Sequence, residues 1–200
     1  MKNLISYLNE SVNSSQNLQP KNKRELKNLI LQEINKNGQK CNLNHIDVSK
    51  IDDMSYLFSS TYDFPQFNGD ISGWDVSNVK YMDYMFEHSN FTGDISKWDV
   101  SNVKNMHGMF YKAKFNSDIS AWDVRNVESM DGMFMYSLFN QDISKWNVSN
   151  VLNFRDMFYG ASKFNQNLSN WKINPEAKSR GIFRNCPIKD NFKPKGVNQY

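Results

Sequence analysis

Phe67 to Phe86 reads FNGDISGWDVSNVKYMDYMF. The phrase returns as FTGDISKWDVSNVKNMHGMF from Phe91 to Phe110, FNSDISAWDVRNVESMDGMF from Phe115 to Phe134, and FNQDISKWNVSNVLNFRDMF from Phe139 to Phe158. All five tryptophans, Trp74, Trp98, Trp122, Trp146 and Trp171, fall at one place in it, at spacings of 24, 24, 24 and 25. A weaker copy, Phe164 to Phe183, keeps FNQNLSNWKI and then degrades, and Ile46 to Phe58 is a half-copy with Ile46 in the tryptophan place. Fading at both ends is what terminal turns of a repeat array show, because only they face solvent on one side.

A period of 24 fits a leucine-rich-repeat-like solenoid whose turns each give one short parallel strand and one short helical or irregular return. Within a copy, Ile71 between Asp70 and Ser72 alternates as a strand does, so the strand is placed at Gly69 to Ser72. Val79, Met82, Met85 and Phe86 fall at i, i+3, i+6 and i+7, the spacing of a two-turn helix face, with Ser77 and Asn78 as N-cap candidates. The expected fold is an α/β repeat: a parallel sheet of short strands, short helical returns and a helical N-cap. Stacking turns each position into a column, and the Phe, Ile, Trp, Val and Met columns are the expected core, since no turn can bury that face alone.

The phrase FNxDISxWDVSNVxxMxxMF resembles the BspA-like leucine-rich-repeat family, a repeat of bacterial and mycoplasma surface proteins that some bacteriophages also encode. The resemblance covers about residues 45 to 185. It implies a right-handed solenoid with a parallel sheet, and adhesion or protein–protein contact rather than catalysis. Unlike the surface members, this sequence shows no signal peptide, lipid anchor or wall-anchoring tail. A cytoplasmic or virion-associated location is therefore expected before a secreted one.

Four segments are expected. Residues 1–22 form an amphipathic helix (Leu4, Ile5, Leu8 and Val12 on one face) and a polar linker. Residues 23–43 hold the N-cap helix, with Leu26, Leu29, Ile30 and Ile34 on one side and Gly38 as its stop. Residues 44–185 are the solenoid and 186–200 a basic C-terminal tail. Two readings fit residues 1–12: a helix folded back on the solenoid, or a docking peptide for a partner.

The 14% aromatic content argues against a disordered chain, and the mean hydropathy of −0.70 with 22% charged residues against a membrane-embedded one. No stretch approaches the roughly 18 apolar residues of a membrane span. The net charge of +3 hides a division. Residues 46–171 carry ten basic against sixteen acidic side chains, while the ends are basic, so the body repels phosphate backbones and no nucleic-acid partner is expected. Cys41 and Cys186 lack the spacing of a zinc or redox motif.

Asp70, Asp94, Asp118 and Asp142, closed by Asn167, form one column, and Asp75, Asp99 and Asp123, ending at Asn147, form a second. Carboxylate ladders invite a calcium reading, with serine hydroxyls such as Ser72 and Ser96 as further oxygens. The alternative, taken here, is that each Asp accepts a turn amide as Asx turns do. No metal, cofactor or catalytic residue is expected. A general acid and base need different environments, whereas these columns repeat one, and His45, His88 and His107 share no column. Asn78, Asn102, Asn126 and Asn150 form a structural column at the entry to the return, suited to bonding the neighbouring turn's backbone.

The variable positions follow each Met-Phe pair. Tyr111, Tyr136 and Tyr159, with Tyr84 and the insert residues Tyr62 and Phe64, form an aromatic edge suited to anchoring a protein partner, or simply roofing the core. The expected function is a non-enzymatic protein-interaction or adhesion module presenting a rigid surface. The alternatives are a structural phage-virion or surface-decoration component attached through the N-terminal helix and, remotely, a carboxylate-based hydrolase.

Overall fold

The structure of the protein is a computed structural model that describes residues 18–62 and 66–197. Each copy of the phrase makes one circuit and lies against the next. Met82, Tyr84, Phe86 and His88 donate their backbone N–H groups to the carbonyls of Asn105, His107, Met109 and Tyr111, at 3.0, 2.7, 2.9 and 2.8 Å. One copy later, Met106, Gly108, Phe110 and Lys112 donate in the same way to Ser129, Asp131, Met133 and Met135. The amides between them turn inward on their own circuit: Met85 N–H bonds the Met82 carbonyl, Glu87 that of Tyr84, and Ser89 that of Phe86. Alternate amides thus serve two masters, the neighbouring turn and the local corner.

This pattern overturns the expected leucine-rich-repeat-like α/β solenoid. The described residues contain one α-helix, two three-residue 3-10 turns and no sheet. Parallel pairing survives only as isolated bridges, five of them in one series: Asp53 to Tyr81, then on to Asn105, Ser129, Asn153 and Lys178, with Asn42 to Asp70 standing apart. That series runs through the segment expected to be helical. Gly69 to Ser72, expected to be the strand, is a corner in which Trp74 N–H bonds the Ile71 carbonyl at 3.2 Å.

The physical reason lies in the backbone. Two places in each return are left-handed: Tyr84, Gly108, Gly132, Asp156 and Gly181 at one, and His88, Lys112, Tyr136, Gly160 and Asn185 at the other, with φ from 51° to 72°. A left-handed residue ends both a helix and a strand. Residues three apart still meet inside, because an i+3 to i corner brings them together much as a helix does.

The core is a set of columns. Phe67, Phe91, Phe115, Phe139 and Phe164 are buried and stack at 6.1–6.3 Å between ring centroids. Phe86, Phe110, Phe134 and Phe158 stack at 5.5–5.6 Å. Each tryptophan is buried and donates Nε1–H to a carbonyl one turn back, Trp98 to Ile71 at 3.2 Å and Trp122 to Ile95 at 3.1 Å, for example. The asparagines add a second ladder: Nδ2 of Asn78, Asn102, Asn126 and Asn150 donates at 2.8 Å to the carbonyls of Ser49, Ser77, Ser101 and Arg125. Turns are thereby tied by backbone, indole and amide bonds at three places around each circuit.

Both ends of the stack are covered. Helix α1, Lys23–Asn37, starts where the Asn22 side chain accepts from the Glu25 amide and stops at Gly38, whose N–H reaches the Ile34 carbonyl with φ at 82°. Leu26, Ile30 and Ile34 are buried and join the same core cluster as Leu43, Ile46 and Ile51 of the first turn. At the other end, residues 186–197 are not a free tail. Ile188 is buried, Phe192 and Val197 pack on the core, and Leu168 N–H bonds the Phe192 carbonyl at 2.8 Å. Leu18 pairs with Ile46. The rest of the expected N-terminal segment, residues 1–17 with the whole of its amphipathic helix, lies outside the described residues.

Candidate functional site

The aspartate columns are corners. Oδ1 of Asp70, Asp94, Asp118 and Asp142 accepts the amide two residues on, from Ser72, Ser96, Ser120 and Ser144, at 2.8–2.9 Å. Asn167 does the same for Ser169 at 3.0 Å. Asp75, Asp99 and Asp123 hold Ser77, Ser101 and Arg125 in this way, and Asn147 holds Ser149. Those serine amides hold the Asp70, Asp94, Asp118 and Asp142 carboxyls below the usual range. The Asp-x-Ser phrase is thus an Asx turn. Among the described residues no group of three or more His, Cys, Asp or Glu side chains is placed to hold a metal ion. No helix among them is long and apolar enough to cross a membrane. Cys41 and Cys186 are unbridged, and burial pushes both thiols up.

The expected aromatic edge divides. Tyr111, Tyr136 and Tyr159 form one run, with centroids 6.4 and 5.0 Å apart. Cations of the chain lie over it: Lys112 Nζ is 5.1 Å from the Tyr111 ring and Arg184 5.7 Å from that of Tyr159. Tyr84 is separate, stacked on Tyr56 at 5.1 Å and sharing a hydrogen bond with His107 Nε2 at 2.8 Å. Tyr62 falls in the 3-10 turn Ser60–Tyr62, its side chain not described, and Phe64 lies outside the described residues.

Tyr84 and Tyr111 nevertheless meet across a groove of about 400 Å³. Its origin is one column: Tyr56, Tyr84, Gly108, Gly132, Asp156. Two tyrosines fill the first turns, two glycines leave the next two bare, and Asp156 closes the far end. The Tyr84 ring leans over Gly108, where a Cβ would lie 2.3 Å from its Cε1. Gly132 stands open, with nothing but Met135 within 4 Å of such a Cβ. His107 and Asp131 form one flank and Glu87, Tyr111 and Met135 the other.

The groove is electronegative. Glu87 Oε2 accepts from Ser59 Oγ at 2.8 Å and Asp131 Oδ2 from Asn153 Nδ2 at 3.1 Å, both neutral donors. Among the described residues, Glu87, Asp131 and Asp156 make no ion pair. Burial, with Tyr56 and the carboxylates of Glu87, Asp131 and Asp83 nearby, pushes the Tyr84 phenol up to about 12. Sequence reasoning named Tyr84 and Tyr111 and placed Glu87 and Met135 among the variable positions after each Met-Phe pair, but it did not single out Tyr56, His107, Asp131 or the paired glycines. The available signal was the vertical alignment of Tyr84, Gly108, Gly132 and Asp156 at 24-residue intervals.

A constant stack of corner-rich turns carrying one variable, concave face defines a repeat protein. The chain belongs to the family described as Mycoplasma protein of unknown function, DUF285, which matches it over residues 25–136 and again over 89–195. The matched span begins within α1 and ends past the last turn, so it takes in most of both caps. No curated protein and no solved structure matches it.

Proposed function

We propose that the protein is a non-enzymatic interaction module that presents a rigid surface to a protein partner. The observation that carries this reading is a contrast between columns. All five tryptophans repeat one environment, whereas the column Glu87, Tyr111, Met135, Tyr159, Arg184 changes chemistry at every turn, and its first three members line the groove. A scaffold held by backbone, indole and asparagine bonds loses little conformational entropy when a partner docks. The aspartate columns speak for binding over acid–base chemistry, since the same serine amides shift all four carboxyls in the same direction and no pair is split into acid and base. The resemblance of the repeat phrase to BspA-like surface repeats supports the same reading.

The test is a quantitative pull-down from the native source with the full chain. A stoichiometric partner is expected, retained by Asp118→Asn and lost with Tyr111→Ser combined with Tyr136→Ser. Capture that is equal across all three proteins, or no stoichiometric partner, contradicts the reading.

A further inference from the structure

The tyrosine run at 111, 136 and 159 has cations of its own, Lys112 and Arg184. The adjoining groove has none in an ion pair, though it holds three carboxylates. Arg155 follows Asp131 one turn on in the same column, yet among the described residues it makes no ion pair with it. Neutral donors occupy one oxygen each of Glu87 and Asp131, which leaves their charge uncompensated. Keeping several carboxylates together without a counter-charge is unfavourable, and a cation entering the groove relieves it.

The shape narrows the class of cation. The volume, about 400 Å³, is at the low end for a small-ligand site, enough for one side chain rather than a peptide backbone. The walls combine flat rings, Tyr56, Tyr84 and Tyr111, with carboxylates at Asp131 and Asp156. A guanidinium suits both, because its planar face stacks on rings while its edge forks onto carboxylate oxygens; an ammonium matches only the charge. The chain itself places a guanidinium over a tyrosine ring nearby, with Arg184 over Tyr159.

We infer that the groove above Gly132 is the receptor for an arginine side chain of the partner protein. The inference rests on the interaction-module reading and supplies the partner chemistry it lacks. Gly132 is what keeps the receptor open. Any side chain there would project into the space, and no contact closer than 3.9 Å would oppose it.

The test uses the full chain and a fluorescein-labelled GSRGRSG peptide, with a second peptide in which citrulline, an uncharged near-isostere, replaces both arginines. Fluorescence anisotropy at fixed, moderate ionic strength should show the arginine peptide binding at least about tenfold more tightly, the scale of one charge-assisted hydrogen bond. Gly132→Asn, whose new residue tolerates a positive φ, should erase that preference, and Asp131→Asn should cut it about tenfold. Asp118→Asn, on a corner column away from the groove, should leave it intact.

Equal binding of the two peptides by the unaltered protein overturns the inference, and that arm does not depend on how any variant folds. A preference that survives Gly132→Asn, or that falls equally with Asp118→Asn, also overturns it by pointing to diffuse attraction to the acidic body. If the arginine preference is absent while the native partner is still captured, the receptor fails and the interaction-module reading stands. If no partner is captured, the broader reading fails by itself.

Discussion

Replacing Trp122 separates the two things each tryptophan does. Its ring is 3% exposed, and its Nε1–H donates to the Ile95 carbonyl at 3.1 Å. A buried tryptophan removes about 200 Å² from water, worth about 5 kcal/mol at roughly 25 cal/mol per Å², of which alanine restores a minor part. Losing the indole bond adds about 1 kcal/mol. Because the unfolded chain already hides some of that area, Trp122→Ala should cost about 4 kcal/mol. At about 2–4 °C per kcal/mol for a chain of this size, the melting temperature should fall by about 10–15 °C. Trp122→Phe keeps most of the ring, orphans the Ile95 carbonyl and leaves a small void, so about 1–2 kcal/mol is expected. Trp98→Ala should match Trp122→Ala, since Trp98 has the same burial and the same bond to Ile71. Urea unfolding at 25 °C, followed by near-ultraviolet circular dichroism and checked by calorimetry, gives all three values. A Trp122→Ala melt within about 2 °C of the unaltered protein would refute the columnar core, and a Trp122→Phe change as damaging as alanine would refute the division between ring and bond.

Three further outcomes test other parts of the stack. Gly108→Ala puts a methyl 2.3 Å from Tyr84 Cε1 whereas Gly132→Ala meets only Met135 at 3.9 Å, so both bear a left-handed penalty of about 1 kcal/mol but only the first also displaces a ring; urea midpoints should rank Gly108→Ala clearly lower. Asn126→Asp replaces the Nδ2–H donor to the Ser101 carbonyl with a carboxylate, so the new group's folded pKa is raised; the variant should be about 2–3 kcal/mol less stable at pH 7, with the gap closing as pH falls below that raised value, and a gap constant with pH contradicts the ladder. Asp118 has a folded pKa depressed by the Ser120 amide, so its contribution is present above the unfolded value of about 3.9 and lost as pH falls through the folded one; Asp118→Asn, which keeps the acceptor as Asn167 does in the same column, should melt like the parent at pH 7 and above it at pH 3.

The columns were legible because they depend only on the 24-residue period, and the Phe, Ile, Trp, Val and Met positions that recur at that period in the four full copies are buried here. The local structure was misread at Val79 to Phe86. A helix and a chain of i+3 to i corners put the same residues on the same side, so apolar spacing does not separate them. What separates them is the destination of the amides between, such as Tyr84 N–H to the His107 carbonyl, and that partner is a full circuit away. One local hint was present: Gly108 and Gly132 sit in mid-return, where a helix would disfavour glycine. The Asp-x-Ser corner was readable, because an Asx turn is closed by residues two apart. The groove was missed because it follows from what one column lacks over two successive turns, which shows only when Tyr84, Gly108, Gly132 and Asp156 are aligned with one another.

That origin explains how stability and recognition are kept apart in one short repeat. Each turn is fixed to the next by its tryptophan, its asparagine and its alternating amides, none of which depends on the side chain at the left-handed place beyond its tolerance of positive φ. The place therefore accepts tyrosine, glycine or aspartate in turn, at φ from 51° to 72°. The constraint that remains is between neighbours. Where Tyr84 leans forward the next residue is Gly108, and where Tyr136 leans forward the next is Gly160, whose Cβ would meet that ring at 2.4 Å. Where a tyrosine ring lies over the following turn, as those of Tyr84 and Tyr136 do, that turn is bare, but no ring lies over Gly132, so its bare backbone is not demanded by packing. It is the position at which the sequence leaves room that the scaffold does not use, and it lies between the carboxylates of Asp131 and Asp156.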